Sequence, residues 1–439
     1  MNILLLHCHD LGRHLGCYGN PTVDTPNLDR LAARGVLLEN HFCTAPQCSP
    51  SRAALFTGKY PHRTGVMGLT HAGFAWEMDD DTKHVAQILG GHGWRCHAVG
   101  IVHESRAGAT RCGFATHRRN ALADSMADET IGLLRELGQS SAPFYIQAGC
   151  GEPHRIADPD PTRDQGFGGG RIPPDTSLGL AIPPWLRDTP GTRAEIAELQ
   201  GAIRHMDLAM GRILDFLDSS PVGADTAVVF TTDHGLALPR AKCSLYEPGL
   251  HAACILRVPG RPGWSDGKRL DSMIENIDIA PTLLELAGLP APKDIDGRSF
   301  APAVDGKPYR ARTHVHGEIT WHDYYDPRRS IRDSRHKLIV NFSSAYSFMD
   351  PSQSWRPRCD TKVPANHAHS YHVPVELYDL ANDPWEQRNV ANDPAFATVL
   401  DALRTRLLDH LRRSHDPILR GAVTPPAHHA ALRFLEKKS

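Results

Sequence analysis

Three short segments hold side chains that could do chemistry together: His9-Asp10, the stretch Cys48-Ser49-Pro50-Ser51-Arg52, and Asp233-His234. Imidazole and carboxylate groups are ligands for a divalent cation, and burying such a cluster without one leaves charge uncompensated at a cost of several kcal/mol. A divalent metal is the economical expectation. Taken alone, each dipeptide reads more simply as a loop hydrogen bond at a strand end. The cysteine between the two pairs is open to several roles: a buried apolar residue, half of a disulfide, a metal ligand, a nucleophile or a substrate for modification.

Residues of this kind need strands to aim them. The run "NILLL" (2–6) is short, continuous and apolar, which suits a strand buried on both faces of a parallel sheet, and it stops at His7-Cys8-His9-Asp10. A second run, "TAVVF" (226–230), stops at "TTDHG", and "PFYIQAG" (143–149) reads as another strand. Between them, "HVAQILGGHGW", "DETIGLLREL" and "RAEIAELQGAIRHMDLAMGRILDFL" carry apolar residues at helical spacing. Strands alternating with helices predict an α/β fold with a doubly wound, mostly parallel sheet flanked by helices. Ligands of such sheets bind beyond the carboxyl ends of the strands, where His9, Asp10, Asp233 and His234 would all lie.

Residues 158–192, rich in Pro, Gly and Asp, read as a surface excursion over the same edge. From about residue 300 the texture changes: "APAVDGKPYRAR" reads as a linker, followed by short strand-like pieces and one amphipathic helix, "FATVLDALRTRLLDHLRRS". The expected organisation is a catalytic α/β domain over 1–305 and a smaller C-terminal α+β domain over 306–439 that closes over the site.

The 439 residues suffice for both units. With 41% hydrophobic and 22% charged residues the chain is of the ordinary globular class, and its formal net charge of −2 sets up no global field for nucleic acid or an anionic membrane. Neither partner is expected. No apolar run approaches the roughly 18 residues needed to cross a bilayer, and the opening residues lack the basic region and cleavage site of a secretory signal. A cytoplasmic location is therefore expected. The ten cysteines, scattered and without such a signal, argue against a disulfide framework. A homo-oligomer is left open.

In order along the chain, "HDLGRHLGCYGNPTVDTPNLDRLAARGV", "CSPSRAALFTGKYPHRTGV", "GEPHR", "TTDHG" followed by Lys242, and "ELYDLANDPWEQRNVANDP" resemble the sulfatase family of the alkaline-phosphatase superfamily. The Cys-x-Pro-x-Arg element with its continuation "LFTGKYPHRTGV" is the most specific part. "GEPHR", "GRIPP", "RHMD", "SLYEPG" and "SHDP" are similar to the subgroup that includes N-sulfoglucosamine sulfohydrolase, the sulfamidase-like sulfatases.

The resemblance implies that Cys48 is oxidised by a formylglycine-generating enzyme to formylglycine, whose hydrated diol is the nucleophile. It implies one divalent metal ion, calcium in the family, held by Asp10, Asp233, His234 and the residue at position 48, with His9 beside them. Arg52 would orient the formylglycine, and His103 would bond the diol and assist its collapse. His154 would protonate the leaving oxygen or nitrogen, and Lys242 would grip the sulfuryl oxygens. Glu318, His322, Arg328 and Arg329 fall in a stretch that approaches the substrate in sulfamidases. The activity implied is hydrolysis of a sulfate ester or sulfamate of a small sulfated molecule such as a sugar.

Two positions depart from the family pattern. His9 stands where relatives have the first Asp of a pair, and a neutral imidazole in place of a carboxylate shifts preference from calcium towards manganese, zinc or iron. Ile101 stands where relatives carry a lysine that touches sulfate and formylglycine, so one anion and one cation are lost together. A phosphonate monoester hydrolase or phosphodiesterase on the same fold is the alternative, since a phosphoryl group fits the same clamp; an inactive binding homologue is a third reading. Elsewhere, "ANHAHSYH" (365–372) reads as a solvated loop rather than a metal tract. His7 reads as core or as support for the ligands, and Thr25 or Asn27 as a helix cap.

Overall fold

The first strand, β1 (Asn2–Cys8), is buried along almost its whole length because its side chains alternate between two cores. Leu4, Leu6 and Cys8 enter one, while Ile3 and Leu5 enter the other. Each such aliphatic side chain contributes about 1.5–3 kcal/mol by leaving water. The helices Ala123–Leu137 and Pro190–Ser219 complete the first core, and Val85–Gly91 with Ile279–Leu286 help to complete the second. The computed structural model describes residues 1–71, 73–155, 166–168, 170–345, 359, 361–362 and 371–436.

Seven further strands join β1: β2 (Val36–Phe42), β3 (Arg95–Gly100), β4 (Thr116–Arg118), β5 (Phe144–Gly149), β6 (Thr226–Thr232), β7 (Cys254–Arg257) and β8 (Lys268–Glu275). Their order is β4-β3-β5-β1-β6-β7-β2-β8. β7 runs antiparallel to β6 and β2, and the other pairings are parallel. The sheet is therefore the mostly parallel, helix-covered one that the alternation of strands and helices predicts.

A second, antiparallel sheet is built from β9 (Val315–Trp321), β10 (Tyr325–Arg332), β11 (His336–Asn341) and β12 (Val375–Asp379) in the order β12-β11-β10-β9. Helix Ala397–Arg413 covers one face with Leu403, Leu407 and Leu411 on Ile331, Leu338 and Leu377. The stretch between the two sheets differs from a free linker. Phe300, Ala301 and Val304 pack into the larger unit's core, and Arg312 is paired with Asp278 and with Glu275 (2.9 Å).

Two local expectations change. The helix Pro26–Ala33 is not capped by Thr25 or Asn27; its leading N–H groups go to Asp207 of helix Pro190–Ser219, Asn27 N to Oδ2 (3.1 Å) and Leu28 N to Oδ1 (2.8 Å). Thr25 Oγ1 instead accepts from Gly16 N (2.9 Å). Of the histidine tract, residues 365–370 lie outside the described residues, as do 158–165 and 169 of the excursion. His372, at the end of the tract, is buried 3.8 Å from Asp326 rather than solvated. All ten cysteines are free thiols. Among the described residues no helix is long and apolar enough to cross a membrane.

Candidate active site

β1 and β6 are parallel neighbours in a register that sets Cys8 opposite Thr232. The next residues, His9-Asp10 and Asp233-His234, therefore leave the carboxyl edge side by side. Asp10 takes a left-handed turn (φ 53°), and its N–H donates to Asp233 Oδ1 (3.0 Å). The helix Cys48–Thr57 is buried from end to end and begins at Cys48. Pro50 sits in its first turn, where a missing N–H removes no helical bond. Arg52 follows Cys48 by four residues, which places the two on one helix face. As a result His9, Asp10, Cys48 and Asp233, all buried, bring ligand atoms within 4.8 Å of one another.

Arg52 ties this helix to both strand ends. Nη1 donates to His7 Nδ1 (2.6 Å), and Nη2 donates to Cys8 O (3.1 Å) and Asp233 Oδ2 (3.0 Å). His7 is thus a buried support, packed edge-on to Phe56. Gly149 of β5 must lack a side chain, because a Cβ there would stand 2.0 Å from the His7 ring.

Lys242 Nζ donates to Asp10 Oδ1 (3.1 Å) and Oδ2 (3.0 Å), and faces His154 Nε2 at 3.2 Å. His154 Nδ1 donates to Arg155 O (2.6 Å), which turns Nε2 towards the cluster. Burial opposes ionisation of Asp10, yet Lys242, His154 and His234 hold its carboxyl below the ordinary range. Asp233 is also held low against burial, by His234, Arg52 and His9. Burial pushes the Cys48 thiol up to about 12, so an unmodified thiol is no nucleophile near neutral pH.

His9 Nδ1 and His234 Nε2 are among the buried ring nitrogens that make no hydrogen bond. The first lies 2.9 Å from Asp233 Oδ2; the second lies 3.4 Å from Asp10 Oδ1 and 3.6 Å from Asp233 Oδ2. His234 Nδ1 donates to Gly235 O (3.0 Å), leaving a lone pair on Nε2, and burial lowers the pKa of both rings. His9, Asp10, Cys48 and Asp233 converge, with His234 Nε2 beside both carboxylates, and this donor set fits a divalent cation. Arg52 and Lys242 already balance Asp10 and Asp233 in formal charge, so a dication would leave the site positive and suited to an anion.

An open cavity of about 800 Å³ is lined by Cys48, His9, His103, His154 and Lys242, with Ile101, His71, His322 and Asp323 among the other walls. Of the four residues expected near the substrate, only His322 reaches it. Glu318 accepts from His62 N (2.7 Å) and faces His62 Nδ1 (2.5 Å). Arg329 pairs with Asp416 through Nε (2.5 Å) and Nη2 (2.9 Å), and Arg328 pairs with Asp326 (2.6 Å). All three are buried and held by ion pairs, Glu318 to His62 of the larger unit and the two arginines within the smaller one, which corrects the expectation for them. His71 and Asp323 escape sequence reasoning. His71 follows the Cys48 segment without a motif of its own, and Asp323 becomes a wall only through the β9–β10 turn.

The sequence profile of the sulfatase family matches residues 1–289. The chain belongs to the sulfatase family. Residues 238–353 match the family "N-sulphoglucosamine sulphohydrolase, C-terminal". Human N-sulphoglucosamine sulphohydrolase is 29% identical over 460 residues, covering 95% of this chain and 91% of the human protein. An ulvan-active sulfatase of Formosa agariphila is 26% identical, covering 94% of this chain and 80% of its own. A solved sulfatase structure from Bacteroides thetaiotaomicron has a TM-score of 0.74 at 23% identity, covering 97% of this chain and 95% of that one. That likeness shows the alkaline-phosphatase-type fold. By family this sulfatase is a sulfuric ester hydrolase. Its own departures, His9 and Ile101, both line the cavity over Cys48.

Proposed function

We propose that this sulfatase hydrolyses a sulfate ester or sulfamate of a small saccharide, with formylglycine made from Cys48 by a formylglycine-generating enzyme and one divalent cation held by His9, Asp10, Asp233, His234 and the residue at position 48. The observation that carries the reading is the convergence of Cys48, the imidazole and carboxylate donors, His103, His154 and Lys242 on one cavity edge. The saccharide class is supported by relatives named for sulphoglucosamine and for ulvan. The bound cation would act as a Lewis acid towards the nucleophile and the sulfuryl oxygens, and two imidazoles among its ligands favour manganese, zinc or iron over calcium.

The chain's own groups have distinct tasks. One diol hydroxyl at position 48 loses its proton to water in the open cavity and its oxygen attacks sulfur as the bond from sulfur to the saccharide oxygen or nitrogen breaks. The bound sulfuryl anion favours the imidazolium form of His154, which burial and Lys242 oppose in the free enzyme, and the Nε2 proton so acquired passes to that leaving atom while Nδ1–H stays on Arg155 O. Lys242 stabilises the charge on the sulfuryl oxygens. The second diol hydroxyl then gives its proton to His103, the carbon–oxygen bond to sulfate breaks, and sulfate leaves an aldehyde that water rehydrates. Arg52 keeps the helix start in register with Asp233.

His9 and Ile101 support a second reading, a phosphonate monoester or phosphodiester substrate, because the site keeps its metal donors with one fixed cation fewer. Peptide mass spectrometry across Cys48, combined with turnover of paired aryl sulfate and phosphonate substrates, tests both. Conversion to the aldehyde with sulfate-selective turnover is expected. An unmodified thiol in active enzyme would sink the formylglycine mechanism, and phosphoryl-selective turnover by converted enzyme would move the assignment to the second reading.

A further inference from the structure

The ring of His103 touches one side chain that the chemistry above does not use. His71 Nδ1 lies 2.7 Å from His103 Nε2, with ring centroids 4.8 Å apart, and both rings line the cavity. The backbone of His103 is fixed independently. Its N–H donates to Glu104 Oε2 (2.7 Å), and its carbonyl accepts from Thr70 Oγ1 (3.0 Å), whose hydroxyl also meets Ser49 Oγ (3.3 Å) beside Cys48. The main chain is pinned without His71. What His71 adds is control of the ring.

A hydrogen bond between two imidazole nitrogens takes one N–H and one lone pair. The contact therefore couples the tautomers of the two rings, the donor at one nitrogen requiring a lone pair on the other. If His103 Nε2 is the donor, Nδ1 keeps its lone pair.

We propose that His71 is a positioning residue that accepts from His103 Nε2–H and thereby holds His103 in the tautomer whose Nδ1 takes the proton of the diol. The role of His103 rests on the sulfatase reading of the site; the contact with His71 does not. His71 is exposed, and its other ring contact is Phe74, at 5.7 Å between centroids, so its replacement removes the acceptor without opening the core.

The test compares His71→Ala and His71→Asn with the parent enzyme, each checked for conversion of Cys48. An asparagine Oδ1 can stand near the position of Nδ1 and accept the same bond. The alanine variant should lose about tenfold or more in kcat with little change in KM, and the asparagine variant should regain most of it. A second readout needs no turnover: carbethoxylation of His103 by diethyl pyrocarbonate, followed by peptide mass spectrometry. Labelling should be slow in the parent and in His71→Asn, and several-fold faster in His71→Ala, where Nε2 is freed. Unchanged kcat and unchanged labelling in His71→Ala overturn the proposal, as does an equal loss of kcat in both variants. If the parent turns over no sulfate ester while the labelling pattern holds, the His71 contact stands and the sulfatase reading fails.

Discussion

Arg52 Nη2 donates to Asp233 Oδ2 at 3.0 Å across 181 residues of chain, joining the helix that starts at Cys48 to the loop that follows β6. Both residues are buried, and the same guanidinium holds His7 and the Cys8 carbonyl. Arg52→Lys keeps the charge but loses the fork, since one ammonium cannot reach three acceptors in that geometry. It should fold with a stability loss of about 1–3 kcal/mol, against about 3–5 kcal/mol for Arg52→Ala, which leaves Asp233 buried without a full partner. Urea unfolding measures the difference, and kcat should fall in both variants. A lysine variant with parental kcat would show that only the charge matters.

The place proposed for His9 among the metal ligands predicts a cation preference. Metal-free enzyme should be stabilised more by manganese or zinc than by calcium at equal concentration, read as a thermal shift. A cation present at one hundred times its Kd adds about 2.7 kcal/mol. His9→Asp should move the preference towards calcium. An identical ranking in the parent and the variant would remove His9 from the ligand set.

The proton delivery proposed for His154 predicts a dependence on the leaving group. His154→Gln should cost about 100-fold or more in kcat/KM with a saccharide sulfate, whose alkoxide or amide must be protonated as it departs. A nitrophenyl sulfate, whose leaving group is stable as an anion, should lose far less. Equal losses for the two substrates would assign His154 to binding instead.

Glu104 sets a pH limit on stability. It is fully buried; burial pushes its carboxyl up, but the His84 ring at 3.3 Å and the bond from Gln147 Nε2 overcome this and hold it at about 2, against an ordinary 4.5. A folded-state value below the unfolded one means that the contribution is complete above about pH 4.5 and is lost as pH falls towards 2. That gap corresponds to about 3 kcal/mol. Glu104→Gln should be less stable at neutral pH and should flatten the acid limb of the urea midpoint against pH. A variant with the parental acid limb would place the dependence elsewhere.

Much of the scaffold was legible from local pattern. "NILLL" and "TAVVF" read as central strands because a strand buried on both faces is apolar at every position, and both runs stop where His9-Asp10 and Asp233-His234 begin. The four-residue spacing of Cys48 and Arg52 is likewise a property of one helix turn. Tertiary structure decided the rest. The antiparallel β7, the capping of helix Pro26–Ala33 by Asp207, the burial of Glu318 and Arg329 in ion pairs and the meeting of His71 with His103 all join residues far apart in the chain or on separate loops. Periodicity reports which side of a strand or helix is apolar. It carries no information about which distant polar group will arrive to satisfy a buried donor or acceptor, and at this site those arrivals set the chemistry.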